Sequence, residues 1–140
     1  MKHTIQDYVM ILGRLFIVIL FIYAGIGKIM DPEGTIAYIT SSGLPFPTLA
    51  YLGSIIIEVI LAFALLFGLM TRITATIIAI FTLITSVVFH IDFSDSIQVL
   101  MFLKNIAIFG GLLQIIAIGG GQLSIDAMIN RKKINQIKLI

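Results

Sequence analysis

Apolar residues run along this chain in four long blocks broken by short polar punctuation. The blocks cover about residues 8–30, 48–69, 72–90 and 99–118. Each is long enough, at ~1.5 Å per residue, to cross a hydrocarbon core ~30 Å thick. None carries the wide polar face of a water-soluble amphipathic helix. Between the first two blocks, Asp31-Pro32-Glu33 reads as an N-cap, a proline at the first helical position and an acid in the first turn. That pattern predicts a short helix over about 32–42, with Ile36 and Ile39 on one side and Gly43 as its stop. Too short to span, it is expected to lie at the interface. Leu44-Pro45-Phe46-Pro47 is an extended connector, because a residue before proline disfavours helix. Gly68 to Arg72 form a tight turn with Thr71 as N-cap of the third block. Residues 91–98 form a short acidic loop, and Gly119-Gly120-Gly121 break the fourth block. Ser124-Ile125-Asp126 then open a short interfacial helix that ends in Arg131-Lys132-Lys133. The expectation is an all-α membrane protein: a four-transmembrane-helix bundle with a short interfacial helix between spans one and two, forming a single domain over 1–140.

Composition sharpens this picture. Hydrophobic residues make up 59% and charged residues 11%, against about 45–50% and about 25% in ordinary globular domains. With no cysteine there is no disulfide, thiolate metal site or thiol redox chemistry. No CxxC, GxGxxG or P-loop pattern occurs, no metal site is expected, and the basic tail is too short to argue for nucleic acid. Met1-Lys2-His3 resembles a signal-peptide n-region, but the apolar run that follows is too long and no A-x-A site ends it, so the span is read as retained. Lys2, Arg14, Arg72, Arg131, Lys132, Lys133 and Lys138 gather on one side of the bundle; Asp31, Glu33, Asp92 and Asp95 lie in the loops on the other. The positive-inside rule then places both termini in the cytoplasm of a multi-pass protein of the bacterial inner membrane.

Polar residues inside the spans are the candidates for function, since a charge at depth costs about 2.5–3.5 kcal/mol even on the lenient insertion scale. Lys104 and Asn105 interrupt the fourth span, with Gly111 on the same face. Glu58 sits mid-way along the second, flanked by Ser54 and Tyr51 on one stripe. Arg14, Phe21, Gly25 and Lys28 share a face of the first, and Thr82, Ser86 and His90 a face of the third. Counted from the outer ends, Glu58 lies ~15 Å deep and Lys104 ~9 Å deep, with Lys28 and His90 near the rim. Lys28, Glu58, His90, Lys104 and Asn105 thus form a candidate ligand-binding cluster in the outer half. Arg14, Tyr51, Ser54 and Ser86 are candidate structural polar residues, Arg14 lying near the inner end with a side chain long enough to point outward. Glu58 and Lys104 are expected to touch directly or through one water. The cluster holds more cations than anions, which suits an anion or a quinone carbonyl. Blander readings stand beside this one: Arg14 and Lys28 snorkelling to their interfaces, a structural ion pair at Glu58, a solvated cap at His90.

These residues in this order resemble the DoxX family of small four-helix bacterial membrane proteins. The resemblance runs over about residues 8–126. It rests on Arg14, Phe21, Gly25 and Lys28 followed by Asp31-Pro32, on Gly43-Leu44-Pro45-Phe46-Pro47, on Glu58, on Gly68-Leu69-Met70-Thr71-Arg72, on His90, and on Phe102-Leu103-Lys104-Asn105 before Gly110-Gly111-Leu112-Leu113. In the glycine-rich close Gly119 to Asp126, Gln122 stands where a basic residue is common. The family takes its name from a similarity to the membrane subunit of a thiosulfate:quinone oxidoreductase. The resemblance therefore implies a membrane subunit of an oxidoreductase system, with other oxidoreductase subunits or a second copy of the chain as partners, binding a quinone or small anion in the outer polar cavity. No cofactor is expected to be held covalently, and one membrane histidine cannot give bis-histidine haem ligation, so electrons, if they move, travel on a quinone or a partner. The alternatives are a small proton-coupled carrier with Glu58 as its titrating group, and a structural membrane partner with no ligand. No catalytic residue is identified, and whether the chain is an enzyme stays open.

Overall fold

A computed structural model describes residues 4–137; Lys2 and Lys138, counted above in the charge bias, lie outside the described residues. The elements are α1 Ile5–Met30, α2 Pro32–Ser41, α3 Pro47–Ile55, a π-helical segment Ile56–Leu61, α4 Ala62–Phe67, α5 Thr71–Phe89, α6 Ser96–Ile118 and α7 Ile125–Ile137. Four stretches are long and apolar enough to cross a membrane: Ile5–Met30, Pro47–Phe67, Thr71–Phe89 and Ser96–Ile118. The second runs through α3, the π-helical segment and α4. The chain is thus an all-α membrane protein with four candidate spans.

The core is a thin seam down the bundle axis. Val18 and Phe21 of α1, Ala62 and Leu65 of α4, Ala75, Ile78 and Ala79 of α5, and Leu112 of α6 are buried there. The alanines let helix backbones approach, which drives association where lipid and side chain are equally apolar. Outward positions such as Ile19, Tyr23, Ile60, Ile80 and Leu103 are exposed, as lipid-facing residues are.

Local chemistry sets the ends. Asp31 caps α2, its Oδ1 accepting from Gly34 N at 3.0 Å, and Gly43 follows the helix with φ +77°. Span two ends at Phe67 because Gly68 turns left-handed at φ +68°. One expected cap is not made. Thr71 does not cap α5: it is the first helical residue, and Met70, at φ 45°, precedes it. The cap comes from Asp126, whose carboxylate accepts from Met70 N at 2.8 Å, Thr71 N at 2.8 Å and Thr71 Oγ1 at 2.7 Å. Burial pushes the Asp126 carboxyl up, but these donors outweigh it and hold the group below the usual carboxylate range.

The bundle therefore has two unlike ends. The terminal end carries the start of α1, the α4–α5 turn, the close of α6 and α7. The α2 end carries α2 and the 90–95 loop. At the terminal end Arg14 is buried, 1% exposed. It points toward that end, not outward: Nη2 donates to Leu123 O at 2.9 Å and Nη1 to Leu65 O at 3.5 Å. Gly68 and Gly120 admit these neighbours. A Cβ on Gly68 would collide with Arg14 Nη1 and Ser124 Cβ, and one on Gly120 would lie 2.5 Å from Thr71 Oγ1.

Candidate functional site

At the α2 end the helices part around a cavity of about 410 Å³. Its walls come from α1, α3, the π-helical segment, α5 and α6, and α2 lies across it through Thr35, Tyr38 and Ile39. Tyr38 stacks on Phe89 with ring centroids 5.3 Å apart, tying α2 to the end of α5. Most of the lining is apolar, including Phe21, Ile39, Phe81 and Ile108; Lys28, Ser54, Glu58, His90, Lys104 and Asn105 interrupt it. The five residues of the candidate cluster all border this one cavity.

Their partners differ from those expected. Glu58 does not pair with Lys104. Lys28 Nζ donates to Glu58 Oε1 at 2.8 Å and Oε2 at 2.6 Å, with the two side chains 27% and 7% exposed. Helix direction explains the choice, because side chains lean toward the N-terminus of their own helix. α1 runs toward the α2 end, so Lys28 leans down into the bundle; the second span runs away from that end, so Glu58 leans up to meet it. Lys104 sits on α6, which also runs away from the α2 end, so it leans up and off: its Nζ lies 3.4 Å from Met101 Sδ. Gly25, one turn before Lys28, closes the gap between the helices. A Cβ there would lie 2.7 Å from Val59 Cγ2 and 3.2 Å from Glu58 Cβ.

Glu58 lies inside the π-helical segment Ile56–Leu61. Such a widened turn is common at functional sites. Here it presents the carboxylate between α1 and the cavity. Tyr51 Oη donates to Lys28 O at 3.3 Å, and Ser54 Oγ returns to Tyr51 O at 2.8 Å, so these two residues brace the rim of the pair. Ser86 is fully buried, and its Oγ has no hydrogen-bond partner among the described residues; Thr82, on the same stripe, bonds back to Ile78 O at 2.7 Å.

The remaining donors stand apart from the ion pair. His90 ends α5, and its Nδ1 lies 2.8 Å from Gln98 Oε1. Where Gln98 presents its amide oxygen, His90 Nδ1 is the donor in that contact. Asn105 is 8% exposed and has no hydrogen-bond partner among the described residues. Lys104 has no carboxylate partner among them. The cavity thus offers a neutralised ion pair, a free cation and an unpaired amide against apolar walls. Such a donor set can hold an oxygen acceptor of an amphipathic molecule. Among the described residues no group of three or more His, Cys, Asp or Glu could hold a metal ion.

Fold and site together define a small four-span helical membrane protein with a polar-tipped cavity at one end. The chain belongs to the DoxX family, whose model matches residues 9–91. It is 40% identical over 128 residues to Inner membrane protein YqjF of Escherichia coli (strain K12), covering 91% of this chain and 97% of that protein. It is 32% identical over 126 residues to Inner membrane protein YphA of the same organism, covering 86% of this chain and 90% of that one. No solved structure matches the chain.

Proposed function

We propose that this chain is an integral protein of the bacterial inner membrane, with both termini cytoplasmic, that binds a quinone head group in the cavity beneath α2 as the membrane subunit of an oxidoreductase system. Asn105 carries the reading. A buried amide with two donors and one acceptor costs free energy unless something satisfies it, and Asn105 lines the cavity without a hydrogen-bond partner among the described residues. Lys104 lies next to it in sequence and lines the same cavity, adding a cation with no carboxylate partner among the described residues. A quinone ring has carbonyl oxygens for these donors and a flat apolar body for Phe21, Phe81 and Ile108. A small inorganic anion would satisfy the donors but would make no use of the apolar walls. The Lys28–Glu58 pair closes the side of the pocket and stands ready to orient a second carbonyl or pass a proton to it. The names of both relatives support the inner-membrane location. Acidic loops at the α2 end and basic residues at the terminal end support the orientation.

The test is binding of a short-chain quinone to the purified full-length protein in mild detergent. Loss of one hydrogen bond costs ~0.5–1.5 kcal/mol, and ~1.5–3 where the partner is charged. Asn105→Leu should weaken binding by up to about tenfold and Lys104→Met by about tenfold or more. Binding that is unchanged in both variants refutes the site, and wild-type protein that binds no quinone refutes the ligand.

A further inference from the structure

The terminal end holds a second feature, separate from the cavity beneath α2. A groove of about 660 Å³ runs between α1, α4 and the start of α7, bordered by Ile11, Arg14, Phe67, Leu123, Met128 and Arg131. Two guanidinium groups hang on consecutive carbonyls at its edge. Arg14 Nη2 donates to Leu123 O at 2.9 Å, while Arg131 Nη2 donates to Gln122 O at 2.7 Å and to Gln122 Oε1 at 3.0 Å. Neither bonds a carboxylate among the described residues. Arg14 is 1% exposed, yet its Nε has no hydrogen-bond partner among the described residues. A guanidinium carries five donors in a planar fork, and a buried one left incompletely bonded is costly.

Acids lie nearby but face other donors. Asp126 hydrogen-bonds Met70 and Thr71 and acts on Arg14 only through its field. Asp7 accepts from Thr4 N at 2.9 Å and from Gln122 N at 3.3 Å. The N-terminus of α7 adds to the positive field: Ser124 Oγ caps it, accepting from Ala127 N at 3.2 Å. Phe67 and Met128, 58% and 57% exposed, extend the groove as apolar surface toward the bilayer.

We propose that this groove is a binding site for a phosphate group, held between the guanidinium groups of Arg14 and Arg131. Planar guanidinium forks match phosphate oxygens in pairs. Two sources share that chemistry: the head group of an anionic phospholipid, whose chains would lie along Phe67 and Met128, and free phosphate.

The experiment is native mass spectrometry of the full-length protein in detergent, titrated with phosphatidylglycerol or with phosphatidylcholine. The expected result is about tenfold greater retention of the anionic lipid, the scale of one charge-assisted contact. Arg131→Gln should abolish that preference, and Lys132→Gln should keep most of it. Arg131 carries the test because, among the described residues, its guanidinium bonds only Gln122, whereas removing Arg14 endangers the fold. Titrating inorganic phosphate alone separates the sources: saturable binding that Arg131→Gln removes identifies free phosphate, and retention of phosphatidylglycerol alone identifies the lipid. Equal retention of both lipids with no phosphate binding, or an Arg131→Gln protein that behaves as wild type, overturns the proposal.

Discussion

Removing one member of the Lys28–Glu58 pair leaves the other charge inside the bundle without its partner. At 2.6 Å and an effective dielectric of about 20, the gross attraction is about 6 kcal/mol. Desolvation of both groups offsets much of it, and loss of one partner of a buried pair typically costs ~3–5 kcal/mol. Lys28 keeps 27% of its side chain exposed, so a lysine left alone retains some hydration; about 2–4 kcal/mol is expected for Glu58→Gln or Lys28→Met. The double variant removes both charges and should be more stable than the sum of the single losses predicts, with a coupling of about 1–3 kcal/mol. The chain has no tryptophan, so the readout is helix loss followed by circular dichroism during SDS titration from mild-detergent micelles. A parallel cycle on Glu58 and Lys104 should be additive. Additive losses for Lys28 and Glu58, or equal coupling in the two cycles, would refute the assignment of the pair.

Three other outcomes are expected. Gly25→Ala should destabilise by ~1–3 kcal/mol through overpacking on Val59 and Glu58, whereas Gly13→Ala and Gly53→Ala, with nothing within 4 Å of the new Cβ, should gain up to ~1 kcal/mol in helix propensity; SDS titration midpoints check both. Asp126→Asn should loosen α7 by about 1–2 kcal/mol. Because the folded carboxyl titrates below its ordinary 3.8, that contribution is fully present above pH 3.8 and lost as pH falls through the lower folded value, which hydrogen exchange across α7 can follow. Reporter fusions after residue 137 and in the loop after His90 should report opposite sides of the membrane, with the C-terminal one cytoplasmic.

Much of the fold could be read from local signals. The four apolar blocks match the four helices to within three residues at each end, and Asp31-Pro32 and Gly43 bound α2 as their chemistry requires. The partners were harder to read. Placing each charge at the level of its Cα favours Glu58 with Lys104. The lean of side chains along a helix reverses that ranking, and the predicted topology already contains it: Lys28 on an outgoing helix and Glu58 on a returning one lean toward each other, whereas Lys104, on another returning helix, leans the same way as Glu58 and comes no closer to it. The same rule turns Arg14 toward the terminal end. Other features left no local trace. Asp126 caps a helix that begins 55 residues earlier in the chain, and no residue pattern within Ile56–Leu61 announces the π-helical turn that carries Glu58.

The Asp126 cap and the cavity beneath α2 treat polar groups in opposite ways, and that contrast supports the proposal of a binding site beneath α2. At the terminal end, the carboxylate of Asp126 is fully engaged, and glycines at 68 and 120 exist to admit its neighbours. Local closure is the default for a polar group in a low-dielectric setting. At the α2 end, Lys28 and Glu58 follow that default, and Asn105 and Lys104 do not. Pairing Glu58 with Lys28 matters for this reason: it withdraws the cavity's carboxylate from Lys104, so the neighbouring lysine and amide keep their donors. A bundle selected for stability alone would place apolar residues at 104 and 105, where neither side chain bonds another described residue except for the weak contact with Met101. Their unspent hydrogen-bonding capacity, set against apolar walls, is the physical basis for reading the cavity as a binding site rather than a packing defect.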